Sequence, residues 1–404
     1  MATTSFLYHS MGLRGYEHFR TEYKGGRVFH HIRVPRERRR CRGCGARWPH
    51  LTLEGRFERK FRALPVGSKR QYLILHGYKQ RCKKCGSKLR EPIPFAEGKR
   101  RQIKALDRYI VDLCQIATIK HVASFLGIGW TLVKGIFKGH LRRRLKKRSL
   151  KTVRLIAIDE FAIRKGHDYM TVILDLETGQ ILHSAEGRSA DSVTPFLRKL
   201  KTAGAPLEAV AMDMWQAYMN AVREVFEDIP IVHDPYHIVS MANSVVDTVR
   251  RNLYRELKED DRKVLKGRRF LLLKGGENLD RNALEYLKQI ENLNRPLFQA
   301  YLLKEDLRRF WKMPSKRAAR RFLGAWIARA LASNLKPMVK LAKTLRSHRH
   351  GLLSYFDHPI STGPLEGLNN KIKVLKRQAY GFRDIEYFQL RLAFIHEATP
   401  SFAG

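Results

Sequence analysis

Two Cys-x-x-Cys pairs, Cys41-Arg-Gly-Cys44 and Cys82-Lys-Lys-Cys85, are separated by 37 residues. If all four thiolates meet, they close that segment around one point, and four sulfurs at tetrahedral geometry are what a structural Zn²⁺ requires. Each pair is followed by glycine, Gly45 and Gly86, which lets the backbone turn tightly beside the ion. Two unrelated pairs or a redox dithiol are the alternatives, and the spacer is wider than in a simple finger. Between the pairs, Arg56 to Phe61 and Gln71 to Leu75 read as short strands. Five cysteines are too few for a disulfide framework, which points to a reducing compartment. The fifth, Cys114, shares a helix face with Ile110 and Leu113 and reads as an inert core thiol.

Charge decides the partner. The 404 residues carry 79 Lys and Arg against 38 Asp and Glu, a formal charge of +41, while 44% are hydrophobic and 10% aromatic. Such a chain has real cores, so it is no disordered tail, and its self-repulsion is best relieved by a polyanion such as double-stranded DNA. At roughly 150 residues per domain it holds two or three domains. No run approaches the ~18 apolar residues of a membrane span and no secretory leader opens the sequence. The expected location is cytoplasmic, at the nucleoid when DNA is bound, with no membrane partner.

Residues 103–140 read as three short helices, and Ile119 to Lys138 fits a helix-turn-helix. Val122, Leu126, Ile128, Val133 and Ile136 supply its core, Ala123 allows close approach and Gly127 makes the turn. A second helix from near Trp130 or Thr131 then presents Thr131, Lys134 and Lys138 to the major groove. The run Leu141 to Arg148, with Arg142, Arg143 and Arg144, is either a basic linker along phosphates or a solvated helix end.

From Val153 the grammar changes. Val153 to Ile158, Tyr169 to Leu174 and Gln180 to Ser184 read as an antiparallel meander, with turns at Lys165-Gly166-His167 and Glu177-Thr178-Gly179. A helix from about Ser192 to Lys201, a strand Ala209 to Met212, a helix beginning near Trp215 and a strand Ile229 to Val232 follow. That is the element order of the ribonuclease H fold. Ile238 to Arg346 is helical throughout and reads as an insertion, with Trp311 and Trp326 in its core. Its basic stretches Arg250-Arg251, Arg262 to Arg269, Arg308-Arg309 and Lys316 to Arg321 either line a DNA path or are solvated faces. A last helix runs from about Pro364 to Gln378, with Ser361 or Thr362 as cap. The expected class is therefore multidomain α/β: a ribonuclease H-like mixed sheet interrupted by an all-α insertion, behind a zinc module and a helix-turn-helix.

Asp159 and Asp213 each end an expected apolar strand, and these strands are neighbours in that order, so their carboxylates meet. Glu366 opens the last helix, where Glu366, Asn370, Lys373 and Arg377 share one face. Three acids converging in so basic a chain call for cations, and Mg²⁺ or Mn²⁺ takes carboxylate oxygens readily. Two such ions, about 4 Å apart, serve in-line phosphodiester displacement without a protein nucleophile. Glu160 and Asp168 read as surface or supporting acids.

The sequence resembles the ISL3-type insertion-sequence transposases. The likeness runs through Ala157-Ile-Asp-Glu-Phe-Ala-Ile-Arg-Lys-Gly-His-Asp-Tyr169, Asp175-Leu-Glu-Thr-Gly179, Ala211-Met-Asp-Met-Trp-Gln-Ala-Tyr218, Ile231-Val-His-Asp-Pro-Tyr-His237, Leu365-Glu-Gly-Leu-Asn-Asn-Lys-Ile-Lys373 and Lys376-Arg-Gln-Ala-Tyr-Gly-Phe-Arg383. The resemblance implies a DDE transposase whose Asp159, Asp213 and Glu366 hold two divalent ions. It implies zinc and helix-turn-helix modules that recognise terminal inverted repeats, Lys373 on a phosphate at the element end, and Asp234 and His237 as support for the site. Thr362 stands where many relatives carry Asn. The implied parts are 1–100 (zinc module), 101–150 (helix-turn-helix and basic linker), 151–237 and 351–404 (catalytic core) and 238–350 (insertion), acting on element ends and target DNA as a homodimer or larger assembly. A catalytically silent DNA-binding repressor of the same ancestry is the alternative.

Overall fold

The computed structural model describes residues 6–163, 168–256 and 269–396, in two compact units divided after Lys146. The expected turn Lys165-Gly166-His167 and most of the basic stretch Arg262 to Arg269 lie outside the described residues.

The first unit begins with α1 (Phe6–Met11) and builds a sheet from β1 (Glu17–Lys24), β2 (Arg27–Arg33), β3 (Leu51–Arg62), β4 (Arg70–Cys82) and β5 (Lys88–Arg90). Its order is β1-β2-β4-β3, with β5 also on β4; β2 and β4 run parallel and the other pairs antiparallel. The two expected strands are extended here to 12 and 13 residues, because the pairing of β3 with β4 continues to Leu51 opposite Cys82. Three helices follow, α2 (Lys104–Ile116), α3 (Ile119–Leu126) and α4 (Trp130–Lys146). The Thr118 hydroxyl caps α3 by accepting the His121 N–H, and Gly127 ends it in the left-handed conformation at φ 60°. Val122, Ala123, Leu126, Val133, Ile136 and Leu141 are buried between the helices. Helix α4 carries the basic run as far as Lys146, so Leu141 to Lys146 form the end of that helix. Cys114 is fully buried, as expected.

In the second unit the meander is β6 (Leu155–Ala162), β7 (Tyr169–Asp175) and β8 (Ile181–Glu186), followed by α5 (Thr194–Thr202), β9 (Ala209–Met212), α6 (Gln216–Val225) and β10 (Ile231–His233). The sheet order is β10-β9-β6-β7-β8, parallel across the first three and antiparallel across the last three. Side chains alternate between its faces. Ile156, Ile158, Ile173, Val210 and Met212 on one face meet α5 and α6 through Phe196, Leu197, Leu200 and Val222. Ala157, Met170, Val172, Leu174 and Ala211 on the other meet Leu365, Leu368, Ile372 and Leu375 of the helix Gly363–Gln378, and Phe388 and Leu392 of the helix Ile385–Ala393.

Between β10 and that penultimate helix, the described residues are helical, from α7 (Pro235–Glu256) to Arg349–Ser354. They share one core in which Trp326 is wholly buried and donates to the Leu303 carbonyl at 2.8 Å, while Trp311 packs against it. Buried Lys304 donates to the carbonyls of Leu272 and Lys274 at 3.0 and 2.8 Å, tying two segments of this region together. No described helix is long and apolar enough to cross a membrane.

Candidate functional site

The four paired cysteines converge in the first unit. Cys41 and Cys85 Sγ are 3.6 Å apart, Cys44 and Cys82 Sγ 3.5 Å, and all four sulfurs lie within 4.8 Å of one another. Both knuckles turn alike: Gly45 N–H donates to the Cys41 carbonyl and Gly86 N–H to the Cys82 carbonyl, each at 2.9 Å. Gly45 and Gly86 hold φ at 73° and 70°, which glycine adopts freely. Ser87 Oγ sits 3.3 Å from Cys41 Sγ and 3.0 Å from Cys85 Sγ, and this hydrogen bonding draws both thiols below their ordinary pKa, Cys41 to about 6. Four soft sulfur donors converging within 4.8 Å of one another fit the tetrahedral set that Zn²⁺ takes.

The acidic site lies at the carboxyl end of the parallel strands, where open α/β sheets place their chemistry. Pairing of β6 with β9 stops at Ile158 opposite Met212, so Asp159 and Asp213 come next, side by side. Both follow at two-residue spacing the alanines that face the helix Gly363–Gln378, and therefore share that face. One expectation needs correcting: Asp159 does not end its strand. Strand β6 runs on to Ala162 because β7 stays paired with it beyond the point where β9 leaves off.

Asp234 follows β10 and is 1% exposed. Its Oδ1 accepts the Thr362 N–H at 3.2 Å, fastening the start of the Glu366 helix, and its Oδ2 accepts the His237 N–H at 3.4 Å. Thr362 occupies the N-cap position of that helix but its side chain makes no cap bond, while Ser361 Oγ accepts from Gly363 N–H at 3.2 Å. His237 Nδ1 lies 3.0 Å from Asp213 Oδ2. That hydrogen bond, opposed by burial, pushes His237 up to about 9. Burial raises Asp213, but the bond and charge of His237 outweigh it and hold the carboxyl below its ordinary value. Burial raises Asp159, and the neighbouring charges of Asp213 and Asp234 add to it. Glu160 is raised by burial and then by Asp159 and Asp213, so it belongs to the acidic group, while Asp168 is exposed. His233 is buried behind the site and lowered to about 4 by burial and then by His348.

Glu366 is exposed in the first turn of its helix and, among the described residues, makes no hydrogen bond or ion pair with these groups. Its carboxylate does not join Asp159 and Asp213 in a set as tight as that of the cysteines. Lys373 and Arg377 are exposed further along the helix.

On α4, Thr131, Arg142, Arg143 and Arg144 are exposed and Lys134 and Lys138 half-buried; Lys134 Nζ lies 5.1 Å from the Trp130 ring centre. Arg148 is committed inside the second unit, donating to the carbonyls of Ile181 at 2.6 Å and Ala393 at 2.8 Å. Several basic residues of the helical region are paired as well: Arg250, Arg251 and Arg269 with Asp247, Arg308 with Glu277 and Glu305, and Arg309 with Asp306. Sequence reasoning missed Arg188, held beside Tyr169 and Trp215; its signal was the glycine before it, in a chain whose charge asks for phosphate contacts.

Comparison with known proteins defines the class. A family model described as "Transposase", for family ISL3, matches residues 156–392, and the "Helix-turn-helix domain of transposase family ISL3" matches residues 91–141. The chain is a DNA transposase. It is 34% identical to the transposase of insertion sequence IS1001 of Bordetella parapertussis, over 87% of each chain. It is 27% identical to that of IS1557 of Mycobacterium tuberculosis, over 89% of this chain and 86% of that one. This chain belongs to the ISL3 transposase family. A chain of the Drosophila P element transposase strand transfer complex shares 10% identity at a TM-score of 0.36, covering 73% of this chain and 92% of that one, too remote to inform the fold.

Proposed function

We propose that this transposase recognises the terminal inverted repeats of its element and, at a ribonuclease H-like site, hydrolyses the phosphodiester there and joins the freed 3′-hydroxyl to target DNA. One observation carries the reading: Asp159 and Asp213 stand abreast where parallel pairing ends, on the face covered by the helix that bears Glu366. With Glu366 they offer hard oxygen donors, and the raised Asp159 carboxyl among like charges fits a site meant for Mg²⁺ or Mn²⁺. Two such cations, when bound, supply charge that neutralises the attacking and leaving oxygens of a phosphodiester.

The remaining work belongs to the chain's own side chains. His237 orients the Asp213 carboxylate through its Nδ1–H, and Asp234 sets both His237 and the start of the Glu366 helix. Lys373 and Arg377, on the Glu366 face, bind phosphates flanking the reacting one. Residues 1–100, folded around structural Zn²⁺ at Cys41, Cys44, Cys82 and Cys85, and the helix-turn-helix of 101–150 bind the ends. Thr131, Lys134 and Lys138 read the major groove, and Arg142, Arg143 and Arg144 hold the backbone. Residues 151–237 and 351–404 form the catalytic core, 238–350 the helical insertion, and two ends are brought together by a dimer or larger assembly.

The test is cleavage and joining of a labelled duplex carrying an element end, with Mg²⁺ or Mn²⁺, by wild type, Asp159→Ala, Asp213→Ala and Glu366→Gln. Wild type is expected to cut and join, and the variants to bind without cutting. A wild type that binds ends but never cuts them leaves the silent DNA-binding alternative.

A further inference from the structure

We propose that Arg188 grips a DNA phosphate beside the carboxylate site, its guanidinium held ready by Tyr169 and Trp215. This rests on the reading of Asp159, Asp213 and Glu366 as the reacting centre. The Arg188 Cζ lies 4.5 Å from the Tyr169 ring centre and 4.9 Å from that of Trp215. Its backbone is pinned as firmly. Trp215 Nε1 donates to the Arg188 carbonyl at 2.9 Å. Gly187 N–H donates to the Tyr169 carbonyl at 2.8 Å, and Thr171 Oγ1 donates to the Gly187 carbonyl at 2.7 Å. Gly187 has φ 87°, a conformation that favours glycine and lets the chain double back along β7.

Yet the side chain is exposed and, among the described residues, forms no ion pair with a carboxylate, unlike Arg154, Arg250 or Arg308. A long cation is thus immobilised without its charge being used. Trp215 follows two residues after Asp213, so the arginine and the carboxylates are served by one turn of chain. An arginine stacked on aromatic rings keeps its planar N–H fork available, and that fork matches the two free oxygens of a phosphodiester. Rigid cation, open fork and neighbouring carboxylates together describe a receptor for the backbone of the strand to be cut. Trp215, 39% exposed, forms the wall of that receptor.

The test couples one side chain to one phosphate. Full-length wild type and Arg188→Ala are titrated, without added divalent metal, against element-end duplexes in which single phosphates around the cleavage position are replaced in turn by neutral methylphosphonates. At one or two positions the replacement should weaken wild type about tenfold, the size expected for a lost charged hydrogen bond. Arg188→Ala, already weaker on the native duplex, should lose nothing more there, while losses elsewhere stay unchanged. Arg188→Lys should keep part of the coupling and Trp215→Ala should reduce it. Native-duplex binding unchanged in Arg188→Ala, or losses that add at every phosphate, would overturn the proposal. Cleavage by Asp159→Asn and Asp213→Asn on the same duplex with Mg²⁺ is scored separately. If these variants cut, the carboxylate reading fails whatever the coupling; if they are silent and no coupling appears, the Arg188 proposal alone fails.

Discussion

Asp234 shows how much one side chain can carry. Buried at 1% exposure, it accepts two backbone N–H groups, from His237 and from Thr362. Asp234→Ala strands both donors, at about 1–3 kcal/mol for each buried one. It is expected to lower the thermal midpoint and to cut cleavage far more than end binding, since the Glu366 helix loses its fastening; thermal unfolding and gel assays check both. Gly351 answers to His233 in the same way. A methyl group there would meet the imidazole Cδ2 at 2.4 Å, so Gly351→Ala should cost about 1–3 kcal/mol in denaturant unfolding by overpacking. His183 sets a pH dependence. Its ring is buried against Phe196, and burial, with a smaller push from Lys199, lowers its pKa below 6.5 despite the Nε2–H that it donates to the Ser192 carbonyl at 3.1 Å. Below pH 6.5 the unfolded chain takes up a proton that the folded chain refuses, so stability falls as pH drops through that window. His183→Gln is expected to flatten the slope between pH 7 and 5 in chemical denaturation. The pairing of Asp159 with Asp213 was legible because two apolar strands each led to an aspartate. Asp234 as a fastening was not, because its partner is a backbone N–H with no sequence signature.

At the scale of elements, the cysteine knuckles and the helix-turn-helix were readable because each depends on small residues at fixed offsets: Gly45, Gly86 and Gly127. Strand β1, Glu-His-Phe-Arg-Thr-Glu-Tyr-Lys, was missed because it is largely exposed and carries no apolar alternation strong enough to mark a buried face. The end of β6 was misplaced for a related reason: Glu160, Phe161 and Ala162 are held by β7, and only the pairing register reveals it. The knuckles also bear the clearest metal prediction. Cys82→Ser, or strong chelation, should release one zinc per chain and expose the first unit to protease while the second unit keeps its thermal transition. Metal analysis with limited proteolysis decides it; unchanged metal content would reject the site. Gly127→Ala tests the turn. A Cβ there would stand at φ +60° and displace the tip of the Arg70 side chain, so end binding should weaken while the second unit keeps its thermal transition.

For the whole molecule, the charge of +41 is the governing quantity. Each lysine or arginine seated on a phosphate releases counterions, so end binding should fall steeply and linearly in a plot of log affinity against log salt. A flat profile from filter binding across 50–300 mM salt would contradict the basic-surface argument. The overall order of elements was legible from the sequence, since alternation, turns and helical periodicity are local signals. The distribution of the basic residues between partners was not, because Arg148, Arg250 and Arg308 are spent on carbonyls and carboxylates that are met only in the fold.

The bond from Asp234 to Thr362 spans 128 residues of chain. A ribosome adding about 5–20 residues per second needs roughly 6–26 s to cover that distance. Throughout that interval the cysteine knuckles and the helix-turn-helix are already synthesised, while the helix bearing Glu366 has yet to be made. On the proposed reading, each nascent chain passes through a period in which its end-binding modules exist without Glu366, and a chain released early is expected to compete for the sites that finished copies would cut.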